Sequence, residues 1–314
     1  MTVMTETLSR SENGVTPAAA GGLGQLEKAA GSADDSVGSR PVVSIVLPYY
    51  NPGDRLRSTV EGLVEVLSAS VTSFEIITVS DGSTDGSPFT LGGFSENVVR
   101  RAGYATNVGK GHALRTGLAL SRGRYVGFID ADGDISPEFV VQFVTCMETE
   151  NPDIVIGSKN HPESNVQWTP LRHFYSTAHQ FMIRRLFRLS VGDTQVGIKL
   201  MDRRVVAEVL PLLRESRFAL DLELLVLAQR LGYTRVVEAP VAIEERVGST
   251  ISLKRAWRLF ADTVGLFMRL SVRHGYDPGI ASRPHDVQAQ FTGAPASAPV
   301  PLPAVVALPD QMPA

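Results

Sequence analysis

The sequence predicts an α/β domain: a mostly parallel sheet with helices on both faces. Two observations carry that expectation. Short runs at residues 42–47, 74–79, 125–129 and 153–157 are apolar almost throughout, as strands buried on both faces must be. Between them lie longer stretches with apolar residues at helical spacing, and strands alternating with helices imply right-handed crossovers. A third observation concerns function. The runs stop abruptly at loops of Gly, Asp, Asn and Ser, and ligands collect at the carboxyl ends of strands in open sheets.

In order, residues 42–47 form a strand stopped by Pro48, and 49–54 (YYNPGD) form the loop. A helix follows to about residue 69, with Leu56, Val60, Leu63, Val64 and Leu67 on one face. The second strand, 74–79, ends in Ser80-Asp81-Gly82-Ser83-Thr84-Asp85. Residues 98–101 read as a short third strand, and Asn107-Val-Gly109-Lys110-Gly111 opens a helix to about 121. Strand 125–129 is the fourth, followed by a helix at about 137–149 and a fifth strand at 153–157.

The second half is less regular. Residues 169–189 carry a helical stripe at 171, 174, 175, 178, 181, 182, 186 and 189, accompanied by Arg172, His173, Arg184, Arg185 and Arg188. A strand at 196–201, a helix at 219–231 bearing Asp221 and Glu223, and a strand at 236–243 follow. A last amphipathic helix, 253–272, places Leu253, Trp257, Phe260, Val264 and Phe267 on a seam.

Composition bounds the rest. Residues 1–40 and 278–314 are rich in Gly, Ala, Ser or Pro and are expected to be disordered, leaving one domain at 41–277. A net charge of -3 gives no argument for nucleic-acid binding. The single cysteine, Cys146, sits in an apolar helical pattern and cannot form a disulfide within the chain, which fits a reducing cytoplasm. With no signal-like h-region and no run of the ~20 apolar residues that span a bilayer, the protein is expected to be cytoplasmic, soluble or peripheral at the inner face of a membrane.

The chemistry centres on the strand 125–129, which ends in Asp130, Asp132 and Asp134. Carboxylates this close repel one another without a counter-charge, and Mg²⁺ or Mn²⁺ prefers such oxygen ligands. The alternative is a solvated acidic turn capping the next helix, since Ser136-Pro137-Glu138 is a good helix start. Asp81 ends a strand where its carboxylate can accept a nucleobase N–H, or else bond its own turn. Gly109-Lys110-Gly111 brings backbone and a cation towards a diphosphate, though not with P-loop spacing, or is only a glycine-rich helix start.

In one order, Pro48-x-Tyr50-Asn51, Ser80 to Asp85, Asn107-x-Gly109-Lys110-Gly111, Asp130-Ala-Asp132, Gly157-Ser158-Lys159 and Asp193-Thr-Gln-Val-Gly197 resemble a family 2 inverting glycosyltransferase of GT-A, Rossmann-like fold. The polyprenyl-phosphate sugar synthases, which include dolichyl-phosphate β-glucosyltransferase and dolichol-phosphate mannose synthase, are the most similar branch. The resemblance implies a nucleotide-sugar site at Pro48, Tyr50, Asp81, Lys110 and Asp130, with a metal at Asp130, Asp132 and Asp134. It implies that Lys159, Arg172 and Ser176 hold the acceptor phosphate, with Lys159 standing where mannose synthases have Arg. The family often has Glu where this chain has Pro52, which leaves one base or ribose contact open.

The implied reaction is in-line transfer of a hexose to a polyprenyl phosphate. Asp-Thr-Gln-x-Gly and Asp-x-Glu-Leu-Leu favour UDP-glucose as donor, with GDP-mannose second. A lipid phosphate needs positioning more than deprotonation. A hydroxyl acceptor requires a base, for which Asp193 is the first candidate, with Asp221 and Glu223 behind it. A non-catalytic nucleotide-sugar-binding scaffold is the remaining alternative.

Overall fold

A computed structural model describes residues 40–164, 170–189, 191–217, 219–242, 253–272 and 306–307, with backbone alone at 170–175, 253–259, 271–272 and 306–307. In chain order the elements are β1 (Val43–Tyr49), α1 (Arg55–Ser70), β2 (Phe74–Asp81), a 3-10 turn (Ser87–Leu91), β3 (Val99–Tyr104), α2 (Lys110–Leu120), β4 (Tyr125–Ile129), α3 (Glu138–Thr149) and β5 (Ile154–Ser158). Then come α4 (Pro170–Phe187), β6 (Ile198–Asp202), α5 (Arg203–Val209), a 3-10 turn (Leu210–Leu212), α6 (Leu220–Arg230) and β7 (Val236–Pro240). Helix α7 (Leu253–Phe267) runs on as a π-helical turn (Met268–Val272), and β8 (Val306–Ala307) completes the set. The rest of the two terminal segments expected to be disordered lies outside the described residues, Arg40 and β8 aside.

The strands form one sheet in the order β7-β5-β6-β4-β1-β2-β3-β8. It is mostly parallel, as expected. The exceptions are β6, which runs antiparallel between β4 and β5, and the two-residue β8 on the edge of β3. Every residue of β1 and β4 is buried, because each strand faces helices on both sides. Val43, Ile45 and Leu47 pack against Leu56, Val60, Leu63 and Leu67 of α1 and against Phe143 and Met147 of α3. Val46, Val126 and Phe128 face the opposite layer, built from Ala113, Leu114 and Leu118 of α2, Leu224 of α6 and Leu266 of α7.

Several boundaries differ from the sequence expectation for local reasons. Helix α2 starts at Lys110, not Asn107, because Gly109 has φ +123, which is not helical. Strand β3 runs three residues further, since Ala102, Gly103 and Tyr104 stay in register with Val79, Ser80 and Asp81. Strand β7 stops at Pro240, which has no N–H to continue a ladder. Each amphipathic stripe holds only in part among the described side chains: Leu189 is buried and Leu186 and Phe267 pack on the core as expected, but other core-facing residues lie off the stripe. Among the described side chains of α7 and its π-helical turn the buried residues are Thr263, Leu266 and Leu270, while Phe260 is 42% exposed. On α4, Ile183 and Phe187 are buried but Phe181 is 70% exposed.

At the amino end of the sheet, buried Glu75 fastens three segments. It accepts hydrogen bonds from Ser44 Oγ at 2.6 Å, from the Arg122 N–H at 2.7 Å and from the Arg122 guanidinium at 2.8 and 3.0 Å. Arg100 adds a contact at 3.2 Å. Burial alone would raise this carboxyl; its Ser44 and Arg122 partners outweigh that and hold it below its ordinary value.

Candidate active site

Strand register brings the carboxyl ends of the parallel strands to one edge. Tyr49 pairs with Ser80, Asp81 with Tyr104, and Ser158 with Pro240. The antiparallel β6 begins at the same edge, where the Asp130 N–H donates to the Gly197 carbonyl at 3.0 Å. Residues from the loops after β1, β2, β3, β4 and β5 therefore lie along one sheet edge.

Pro48 is buried and Tyr50 is 52% exposed, leaving its ring available as a wall. Side chains stitch the Tyr50 loop to the loop after β2. Asn51, in the left-handed region at φ +49, accepts the Thr84 N–H through Oδ1 at 2.8 Å, and its own N–H donates to Ser83 Oγ at 3.1 Å. Asp85 accepts the Gly53 N–H at 2.8 Å and the Ser87 N–H at 3.1 Å. Burial would raise the Asp85 carboxyl, but the Ser87 and Gly53 donors outweigh it and hold the group low. Sequence reasoning left Asp85 without a role. Its signal was the Asp-Gly-Ser-Pro run, which marks a turn and not a partner.

Asp81 is buried, 3% exposed. It does not bond its own turn, which corrects the local alternative. Oδ1 accepts from the Tyr104 hydroxyl at 2.7 Å and the Val108 N–H at 2.8 Å, and Oδ2 accepts the Gly109 N–H at 3.0 Å. Burial and then the Asp81 carboxylate push the Tyr104 phenol upward, so it stays a donor. The His112 ring meets the Tyr104 ring edge-on at 5.0 Å. Tyr104 was missed from sequence because β3 was read as ending at Arg101.

The glycines of Gly109-Lys110-Gly111 have a packing role within the chain. A Cβ on Gly109 would lie 2.4 Å from the Ser216 carbonyl oxygen, and one on Gly111 would lie 2.6 Å from that of Arg217. The two glycines permit a close approach by the chain's own 216–217 backbone. That segment is pinned by the buried Glu223 carboxylate, which accepts the Arg214 and Glu215 N–H groups at 3.0 and 2.9 Å. Glu223 is thus an anchor and not a spare base.

Lys110 pairs with Asp130 Oδ1, with side chains 19% and 30% exposed. A cation at a helix amino end opposes the helix dipole. Burial would also lower Lys110, but Asp130, Asp221 and Asp132 outweigh it and raise the ammonium. The Asp130 carboxyl is itself raised by burial, against the pull of Lys110. Its Oδ2 rests on the bare Cα of Gly197, where a Cβ would lie 2.1 Å away.

Among the described residues no group of three His, Cys, Asp or Glu side chains is arranged to hold a metal ion by itself. Asp130, Asp132 and Asp134 therefore do not form the three-carboxylate cluster that their spacing suggested. Asp130 is engaged by Lys110, and Asp132 Oδ1 accepts the Asp134 N–H at 3.1 Å. The donor set nevertheless fits a hard divalent ion, which is commonly held by one or two carboxylates with substrate phosphate completing its shell. Exposed Asp132 and half-buried Asp130 supply such oxygens at one strand end.

On the acceptor side, Asp193 is 4% exposed, and its carboxylate accepts the Lys159 N–H at 3.3 Å and the Gln195 N–H at 3.1 Å. It thereby ties the turn after β5 to the loop before β6. Ser176 Oγ accepts from Gln180 at 3.3 Å. Arg172 lies on α4, and its side chain is outside the described residues. Asp221 is bound to Lys199 at 2.9 Å, and a carboxylate so paired is a poor base.

Residues 44–210 match the model of glycosyl transferase family 2. This chain belongs to that family. The glycosyltransferase is 34% identical over 233 residues to a dolichyl-phosphate beta-glucosyltransferase of Drosophila melanogaster, covering 68% of this chain and 71% of the relative. It is 30% identical over 226 residues to the enzyme of that name from Dictyostelium discoideum, covering 67% and 68%. Its GT-A fold is shared with solved sugar transferases. Glucosyl-3-phosphoglycerate synthase from Mycobacterium tuberculosis, bound to Mn²⁺, UDP and glucosyl-3-phosphoglycerate, superposes with a TM-score of 0.52 at 21% identity, covering 85% of this chain and 88% of that one. Mannosyl-3-phosphoglycerate synthase from Rubrobacter xylanophilus gives 0.57 at 18%, covering 76% and 78%.

Proposed function

We propose that this family 2 glycosyltransferase moves glucose from UDP-glucose to a polyprenyl phosphate. The observation that carries the reading is the two-thirds coverage by relatives named dolichyl-phosphate beta-glucosyltransferase, over a sheet edge where every donor motif meets. A solved neighbour of this fold holds Mn²⁺, UDP-glucose and phosphoglyceric acid together, which supports the donor.

Tyr50 and Pro48 flank the base, and Asp81, its position locked by Tyr104 and the 108–109 amides, accepts the base N–H. Asp132, with Asp130, would hold Mg²⁺ or Mn²⁺, which when bound neutralises the diphosphate leaving group. Lys110 supplies fixed positive charge beside that group. Lys159, Arg172 and Ser176 orient the acceptor phosphate for in-line attack on the anomeric carbon. The C–O bond to the diphosphate breaks as the bond to the lipid phosphate forms, and configuration inverts. The second pKa of a phosphate monoester is about 6, so the nucleophile is mostly dianionic at neutral pH and no base is needed. Asp193 then serves by holding Lys159 in place. On this reading the protein works as a peripheral protein at the inner face of a membrane, which exposed Phe181 of α4 and Phe260 of α7 would meet.

The test is a transfer assay with polyprenyl phosphate and either radiolabelled UDP-glucose or GDP-mannose, with and without metal. Label entering lipid from UDP-glucose alone, and only with Mg²⁺ or Mn²⁺, is the expected result. Preferential use of GDP-mannose overturns the donor assignment, and metal-independent transfer overturns the role given to Asp132.

A further inference from the structure

Donor and acceptor binding leave one buried charge pair unexplained. Lys199 is 1% exposed and Asp221 is 4% exposed. The Lys199 ammonium donates to Asp221 Oδ1 at 2.9 Å and to the Val196 carbonyl at 2.9 Å, and lies 5.2 Å from the centroid of the Phe128 ring. Each contact reaches a different element: the first turn of α6, the loop before β6, and β4. Enclosing an ammonium so completely is costly unless its partners are well placed.

The place of this cation in the register gives it a purpose. Lys199 stands directly opposite Phe128 in the β4–β6 ladder, and Ile198 stands opposite Ile129. One step further, Gly197 meets Asp130, whose N–H it accepts at 3.0 Å. The Asp130 carboxylate has no freedom on that side, since its Oδ2 lies where a Gly197 Cβ would be. The carbonyl held by Lys199 belongs to the peptide that joins Val196 to Gly197.

We propose that Lys199 and Asp221 are positioning residues of the donor site. Their ion pair pins the Val196–Gly197 peptide and, through it, the seat of the Asp130 carboxylate. This rests on the reading of this edge as the donor site. It also explains why Asp221, at the dipole-favoured first turn of α6, is spent on a lysine and not exposed to substrate.

A pair that only held the fold together would behave differently. Replacing a buried ion pair with apolar side chains of similar volume is often neutral or stabilising, so stability and positioning can be separated. The experiment uses the full chain and the double variant Lys199→Met/Asp221→Leu. Thermal melting reports the fold, and calorimetric titration with UDP and Mn²⁺ reports the seat without turnover. The double variant is expected to melt within a few degrees of wild type yet bind UDP with Mn²⁺ about 10- to 100-fold more weakly, the usual cost of losing a supporting partner. Binding at wild-type strength in the folded double variant overturns the proposal. If the double variant does not fold, Lys199→Arg, which keeps a donor for the Val196 carbonyl, decides: affinity within a few-fold of wild type supports the tie, and a loss as large as about 100-fold overturns it. A wild-type protein that binds no UDP with Mn²⁺ removes the donor-site reading and this proposal with it, a result distinct from equal binding by both proteins.

Discussion

Gly197 shows how closely the site is packed at the scale of single residues. Any side chain there must displace the Asp130 carboxylate, because its Cβ would lie 2.1 Å from Oδ2. Gly197→Ala is expected to lower kcat/KM for transfer by roughly 100-fold while circular dichroism still reports the native fold; near-wild-type turnover would mean that the Asp130 position is unimportant. Asp132→Ala removes an exposed carboxylate and no core contact, so it should abolish transfer, by about 100-fold or more, with an unchanged melting temperature. Wild-type-like turnover in that variant would sink the metal assignment. The placement of Asp81, Lys110, Asp130 and Asp132 at one sheet edge was legible in the sequence because each ends or follows a strand or opens a helix in a recognisable order. Their partners were not. Asn51 meets Thr84, Tyr104 meets Asp81, and Lys199 meets Asp221 across loops and strands, and local spacing does not encode which distant segment a polar side chain reaches.

Among the elements, β2 carries the clearest energetic prediction. Glu75 sits on a strand otherwise read as apolar, and it ties β1, β3 and the α2–β4 turn through Ser44, Arg100 and Arg122. Removing one member of a buried ionic cluster typically costs about 3–5 kcal/mol. With Arg122 56% and Arg100 31% exposed, Glu75→Gln is expected at the low end, about 3 kcal/mol or less by denaturant unfolding. The sign with pH follows from linkage. The folded carboxyl lies below its ordinary value of 4.5, so its contribution is fully present above that value and is lost as pH falls through the lower folded value. Wild type should therefore lose stability below about pH 4.5 more steeply than Glu75→Gln does, and parallel curves would contradict the assignment. Strands β1, β2, β4 and β5 were legible because an unbroken apolar run has few other destinations. The antiparallel insertion of β6 was not, since its run contains Lys199 and Asp202 and both its neighbours, β4 and β5, lie far away in sequence. The seam of α7 was legible only in part: Phe267 packs on the core as expected, but Phe260 is exposed and the buried residues Thr263, Leu266 and Leu270 lie off the predicted seam.

For the whole molecule, the proposed acceptor raises the question of how a lipid-borne phosphate would be reached when no helix among the described residues is long and apolar enough to cross a membrane. Exposed Phe181 shares its helix with exposed Arg184 and Arg185, exposed Arg188 follows the helix end, and α7 and its π-helical turn present Phe260 and Met268. An aromatic side chain among arginines suits an anionic surface. Co-sedimentation with anionic vesicles should therefore be strong at low salt and weaken with added salt, and serine at Arg185 and Arg188 should reduce it by about fivefold per charge. Equal binding to neutral vesicles would contradict that placement. The measurement that bears most directly on the central claim is the choice of acceptor: wild-type protein, UDP-glucose and Mn²⁺, offered polyprenyl phosphate or the corresponding free polyprenol. Glucose should pass only to the phosphate, giving a lipid from which mild acid releases the sugar. Transfer to the polyprenol, or an acid-stable glycoside, would contradict the account and return Asp193 to the role of general base.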